Sequence, residues 1–173
     1  DMSNRMLRHF SAFQRFFLRV NFTDDNLRQV NGSSGSRLLD RIRHTFINGL
    51  DVFGRRYVFV VYSNSQLRHS SCWFLAQNAS VQNTDGSVSR LEPADVLNWM
   101  GEWEHIRSAG TLAKRLGQCL STTYSLKECL QEDQWRVIED CKSADGQFEY
   151  TDGCGKVSPE TAAELACQVG LPE

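Results

Sequence analysis

Among the adjacent carboxylates, Asp24-Asp25 and Glu139-Asp140 are the first places in this sequence where chemistry could sit. Two-metal phosphoryl transfer needs carboxylates converging on ions about 4 Å apart. Neighbouring strand residues point to opposite faces, and the chain contains no D-x-D-x-D or D-G-D, so both pairs read as turn residues. Nucleophile and phosphate motifs are missing as well: there is no G-x-S-x-G, no H-E-x-x-H and no Walker loop, and the four histidines do not cluster. No catalytic residue and no metal ligand is expected within the chain. One segment does suit an anion. Gly153-Cys154-Gly155-Lys156 offers two flexible backbone positions and a lysine ahead of a helix start, although a tight turn needing two unusual backbone angles would have the same composition.

Six cysteines, at 72, 119, 129, 141, 154 and 167, include no C-x-x-C pair, and His69-x-x-Cys72 is half a metal site without another half. Sequons at Asn21, Asn31 and Asn78 would suit a secreted, disulfide-stapled protein. No signal peptide opens the chain, so reduced thiols in a nuclear or cytoplasmic protein are the expectation. Asp1 in place of Met, and an end just after a helix, suggest a piece of something longer.

The elements that must position these residues alternate in type. Met6, Leu7, Phe10, Phe13 and Phe17 predict an amphipathic helix that feeds a strand over 17–23. Leu38, Leu39, Ile42 and Phe46 predict a second helix, capped by Gly49. Leu50–Phe53, Tyr57–Tyr62 and Cys72–Ala76 read as strands, with turns at Gly54-Arg55 and Asp85-Gly86. Pro93 opens a helix whose stripe is Val96, Trp99, Met100, Trp103 and Ile106, expected to pack in the core. A further helix reaches a cap at Gly117, and another starts at Ser125. Arg136–Ile138 and Gln147–Tyr150 predict a hairpin about Asp145-Gly146, and Ser158-Pro159 caps a last helix over 162–169. Without a regular βαβ rhythm, the fold class is mixed α and β, α+β.

Among the chain's 173 residues, 40% are hydrophobic and 23% charged, and ten Phe, four Trp and four Tyr can build a core. The longest apolar run, Tyr57–Tyr62, is far short of the roughly 18 residues a membrane helix needs, so no membrane partner is expected. The net charge of −2 conceals an asymmetry. Residues 1–70 hold eleven Arg against five Asp, a net +6, and residues 71–173 hold eight Lys or Arg against sixteen Asp or Glu, a net −8. An all-arginine basic half favours bidentate phosphate or carboxylate partners.

Several stretches taken in order resemble the cellular RNA-dependent RNA polymerases of RNA silencing, fungal ones in particular. They are Arg15–Asp25, Gly54–Phe59, Tyr62–Arg68, Ser71–Phe74, Trp99–Gly101, Ile106-Arg107, Arg115–Gln118 and Tyr150–Pro159. The resemblance implies a polymerase built on two double-psi β-barrels that copies single-stranded RNA into complementary RNA. It implies that residues 1–49 are helices and a strand leading into the core, and that 50–173 begin the catalytic region on the side of the first barrel. The family's D-x-D-G-D loop, which holds Mg²⁺, belongs to the second barrel and does not occur in this chain, so the chain alone should be inactive and bind no cofactor. By the same resemblance Arg55, Arg56, Gln66, Arg68 and Lys156 contact RNA or nucleotide phosphates, and Asp152, Gly153 and Gly155 form a motif loop. RNA template, nucleoside triphosphates and silencing proteins are the implied partners. A non-catalytic RNA-binding relic and a secreted Cys-rich binding protein are the alternatives.

Overall fold

The computed structural model describes residues 3–28, 30, 34–62, 71–126, 131, 134–148, 150 and 155–170. The chain divides into two compact units, Met2–Thr123 and, with Asp1, Tyr124–Glu173.

The first unit is organised by a four-stranded antiparallel sheet in the order β2-β5-β4-β3, formed by β2 (Phe17–Asn21), β3 (Leu50–Val52), β4 (Arg55–Val61) and β5 (Ser71–Ala76). Phe17 lies opposite Leu75 and Asn21 opposite Ser71, while Tyr57 lies opposite Ala76; a bulge between Phe59 and Val61 bends β4. Cys72, Trp73, Phe74 and Leu75 are all buried. Successive strand residues face opposite sides, so β5 is covered on both.

One face meets helix α2 (Ser36–Asn48), whose Phe46 ring packs on Phe59 (centroids 4.8 Å apart), Phe74 (6.4 Å) and Phe22 (5.5 Å). Trp73, Leu75, Val60 and Val61 join a second cluster with Met6 of α1 (Arg5–His9), Val96 and Met100 of α3 (Pro93–Met100), and Leu116, Cys119 and Leu120 of α4 (Ala109–Leu120). The fold class is therefore mixed α and β, with helices on both faces of one antiparallel sheet. Hairpin β6 (Ala79–Gln82)–β7 (Val88–Leu91) and the pair β1 (Ser3–Asn4)–β8 (Thr122–Thr123) complete the unit. Arg8 clamps that last pair, with Nη1 donating to the carbonyls of Ser3 and Thr123 and Nη2 to Thr123 Oγ1.

The expected first helix is two pieces. Helix α1 ends at His9 with Phe10 as its cap, and a 3-10 helix (Ser11–Phe16) follows. The tighter winding nearly eclipses residues three apart, which aligns Phe13 with Phe16 on the core side. Helix α3 stops at Met100 because Gly101, at φ +142°, leaves helical backbone; Trp103 still packs on the core, its Nε1 donating to the Leu97 carbonyl over 3.1 Å. The Pro93 start is as expected, with Glu92 and Asp95 closing a reciprocal capping box. Gly117 is an interior residue of α4 rather than its cap.

In the second unit, α5 (Pro159–Val169) starts at its Ser158 cap as expected. The hairpin is present but its first arm is Cys141–Ser143, not Arg136–Ile138. The Asp145-Gly146 turn fixes the register, with Tyr150 N–H donating to the Cys141 carbonyl and Ser143 N–H to that of Phe148. The expected helix from Ser125 continues into residues outside those described.

Gly49 ends α2 at φ +73°, and a Cβ there would lie 2.3 Å from the Tyr57 carbonyl oxygen on β4. Gly49→Ala should therefore cost about 2–3 kcal/mol in urea unfolding, from strain and displaced backbone together, whereas Gly54→Ala, with open space, should show only the positive-φ cost of about 1 kcal/mol. Cys72 and Cys119 are buried and Cys141 and Cys167 exposed, and none of the four is half of a disulfide. Burial pushes the Cys72 thiol up to about 12 and raises that of Cys119 as well, the Arg5 charge opposing part of the second effect. In native protein at about pH 8, iodoacetamide should label Cys141 and Cys167 and leave Cys72 and Cys119 until unfolding, as peptide mapping would show.

Candidate nucleic-acid interface

A two-residue turn places the arginines expected to bind phosphate. Phe53 (φ +48°) and Gly54 (φ +74°) both adopt left-handed backbone, the geometry that joins β3 to β4 without splaying them. Arg55 and Arg56 follow immediately and, as neighbours on a strand, diverge.

Arg56 turns to the fold. Its Nη1 lies 2.6 Å from Oδ2 of Asp51, its partner across the β3–β4 ladder, and its Nη2 donates to the carbonyl of Asn48, the last residue of α2. A cation at a helix C-terminus is favourably placed. Arg55 turns to an aromatic ring instead, its guanidinium carbon 5.3 Å from the centroid of Phe16, and Arg15 lies 5.0 Å from the same ring.

Topology explains that meeting of residues 39 apart in sequence. Strands β2 and β4 both pair antiparallel to β5, so they run parallel to each other and their N-terminal ends share one end of the sheet. Phe16 directly precedes β2, and Arg55 opens β4. Two strand spacings, about 10 Å, separate them, a span that a long arginine side chain bridges. Arg15 also lines an open recess of about 930 Å³ together with Ser11, Gln14, Gln82, Asn83 and Thr84. Guanidinium, amide and hydroxyl groups side by side are the donor set used on nucleic-acid phosphates and sugars.

The remaining candidates are distributed differently. Lys156 is exposed in the second unit, two residues before the Ser158 cap. Gly155 does not adopt positive φ, and a Cβ there would meet open space, so the unusual angle expected of it is not found. Gln66, Arg68, Asp152 and Gly153 lie outside the described residues. The carboxylate of Asp24 is a turn organiser, its Oδ1 accepting from the N–H groups of Asn26 and Arg28. Among the described residues no three His, Cys, Asp or Glu side chains come together in a way that could hold a metal ion. Nor, among them, is any helix long and apolar enough to cross a membrane. Sequence reasoning placed Arg15 in a family stretch but gave it no role; its adjacency to Phe16 was the available signal.

Comparison with known proteins supplies the class. The sequence profile described as RNA dependent RNA polymerase matches residues 1–173. The chain is 33% identical to RNA-dependent RNA polymerase 1 of Arabidopsis thaliana over 184 aligned residues, covering 100% of this chain and 16% of that protein. It is 32% identical to the Probable RNA-dependent RNA polymerase 1 of Oryza sativa subsp. japonica, covering 99% of this chain and 23% of the relative. With RNA-dependent RNA polymerase 1 of Schizosaccharomyces pombe the identity is 31%, over 98% of this chain and 13% of the relative. The relatives are polymerases by name, and the chain spans less than a quarter of each. It belongs to the RNA-dependent RNA polymerase family.

The two neighbouring arginines should separate on mutation. Arg56→Ala should lower unfolding free energy by about 1 kcal/mol, since it strips a helix-end carbonyl and an exposed carboxylate of their partner. Arg55→Ala should cost about half that and instead weaken single-stranded RNA binding severalfold in fluorescence anisotropy. Equal unfolding effects with unchanged RNA affinity would refute the division.

Proposed function

We propose that the polypeptide carrying this chain copies single-stranded RNA into complementary RNA from nucleoside triphosphates, in the service of RNA silencing, in the nucleus or cytoplasm. The observation that carries this reading is the family match over all of residues 1–173. The chain would be the start of the catalytic region: residues 1–49 lead in, and 50–173 open the first of two double-psi β-barrels. The Mg²⁺-binding D-x-D-G-D loop would lie elsewhere in the polypeptide, where bound metal would supply the phosphoryl-transfer chemistry.

The work left to this chain's residues is holding RNA. Arg15 and Arg55 rest against Phe16, which limits the side-chain freedom they would lose on meeting a phosphate. Arg15 then presents its charge in a recess lined with amides and hydroxyls, and Arg55 shares its aromatic ring. Gln66, Arg68, Lys156 and the loop of Asp152, Gly153 and Gly155 would add contacts to RNA or nucleotide phosphate, and Arg56 would act mainly through the β3–β4 frame.

The complete polypeptide, given a single-stranded RNA template, nucleoside triphosphates and Mg²⁺, should make template-complementary RNA, and an Arg15→Ala/Arg55→Ala double variant should lower that synthesis about tenfold. The 173-residue chain alone should bind RNA in a salt-sensitive way and synthesise none. Failure of the complete polypeptide to polymerise, with RNA binding intact, would favour the relic instead.

A further inference from the structure

Residues 105–115, His-Ile-Arg-Ser-Ala-Gly-Thr-Leu-Ala-Lys-Arg, carry three full positive charges and no acid, inside a half of the chain whose net charge is −8. The structure folds this stretch onto itself. Ile106 N–H donates to the Trp103 carbonyl over 2.9 Å, which turns the chain into the Ser108 cap of α4. Ser108, Thr111 and Arg115 then follow at steps of three and four, on one side of the helix. His105, Arg107 and Ile106 close the other wall of a recess of about 300 Å³.

Two arginines therefore line one small concavity. Among the described residues neither makes an ion pair; the pairs formed there are Arg43 with Asp40 and Arg56 with Asp51. Glu102 and Glu104 line a neighbouring recess that shares only His105 with this one. Two cations on one recess without counter-charge favour an anion, and a guanidinium favours one whose oxygens accept paired hydrogen bonds. A carboxylate would satisfy one guanidinium, while a phosphoryl group has oxygens enough for two arginines and for the Ser108 and Thr111 hydroxyls.

We propose that Arg107 and Arg115, with His105, Ser108 and Thr111, form a phosphate-binding site separate from the Arg15–Phe16–Arg55 surface. Its ligand is a phosphoryl oxyanion, carried by an RNA backbone or by a nucleoside triphosphate. The inference rests on the reading of the chain as part of an RNA-copying protein, and deepens it.

All four arginines substituted in the test are exposed, so substitution should leave the fold intact, which circular dichroism would confirm. The 173-residue chain and two charge-matched variants, Arg107→Gln/Arg115→Gln and Arg37→Gln/Arg41→Gln, would be titrated with a fluorescent single-stranded RNA of about 20 nucleotides. The first variant should lose about fivefold or more in affinity and show a shallower salt dependence, and the second should lose no more than about twofold. In parallel, the arginine side-chain Nε–Hε resonances would be followed as sodium tripolyphosphate or RNA is added. Shifts of Arg107 and Arg115 with both ligands identify a triphosphate site, and shifts with RNA alone a backbone site. Equal losses in the two variants, or no shift with either ligand, would overturn the proposal. RNA synthesis by the complete polypeptide is measured separately, so its failure is distinguishable from the failure of this site.

Discussion

The double burial of β5 is the constraint on which the first unit depends. Phe74 and Leu75 are completely removed from solvent, one beneath the aromatic group around Phe46 and the other within the cluster of Met6, Val96 and Leu120. Burying two such side chains contributes several kcal/mol, about 2–3 each. A strand covered on both sides must satisfy its backbone laterally, which β2 and β4 do on its two edges. Because both pair antiparallel to it, their starting ends coincide, and that coincidence brings Arg15, Phe16 and Arg55 together.

The arginines of the first half are thereby divided between two kinds of work. Arg8 and Arg56 are spent on backbone carbonyls at element ends, where a guanidinium's several donors meet acceptors that helix and strand geometry leaves unpaired. Arg15 and Arg55 rest on a ring and are exposed to solvent. A basic net charge says how many arginines there are; the ladder register says which of them are already engaged.

Much of this fold was legible in the sequence, and the failures have physical reasons. The β-branched and aromatic run within Tyr57–Tyr62 and the apolar Cys72–Ala76 form strands, Gly49 and Ser158 cap helices, and Pro93 opens one, where local chemistry says they should. Hairpin β6–β7 was visible only as its Asp85-Gly86 turn, because Ala79–Gln82 alternates over only four residues and Val88–Leu91 does not alternate. The first helix was read as continuous because Phe10, Phe13 and Phe17, at steps of three and four, fit a period of 3.6, whereas the 3-10 turn uses the three-residue step from Phe13 to Phe16. The placement of Arg136–Ile138 in a hairpin failed because apolar character was weighed above the turn that sets the register.

The candidate site divides along the same line. Lys156 sits beside a cap written in local sequence, Ser158-Pro159, and among the described residues of 124–170 none is buried, so its position follows from short-range bonds. Short-range bonds leave readable signatures. Arg55 is placed by a positive-φ turn, a cross-strand partner and a ring 39 residues earlier in the chain, and only the first of these is local. A family resemblance can mark such a residue as a contact. The reason it points outward, while its neighbour Arg56 is held by Asp51 and Asn48, exists only once the sheet has formed.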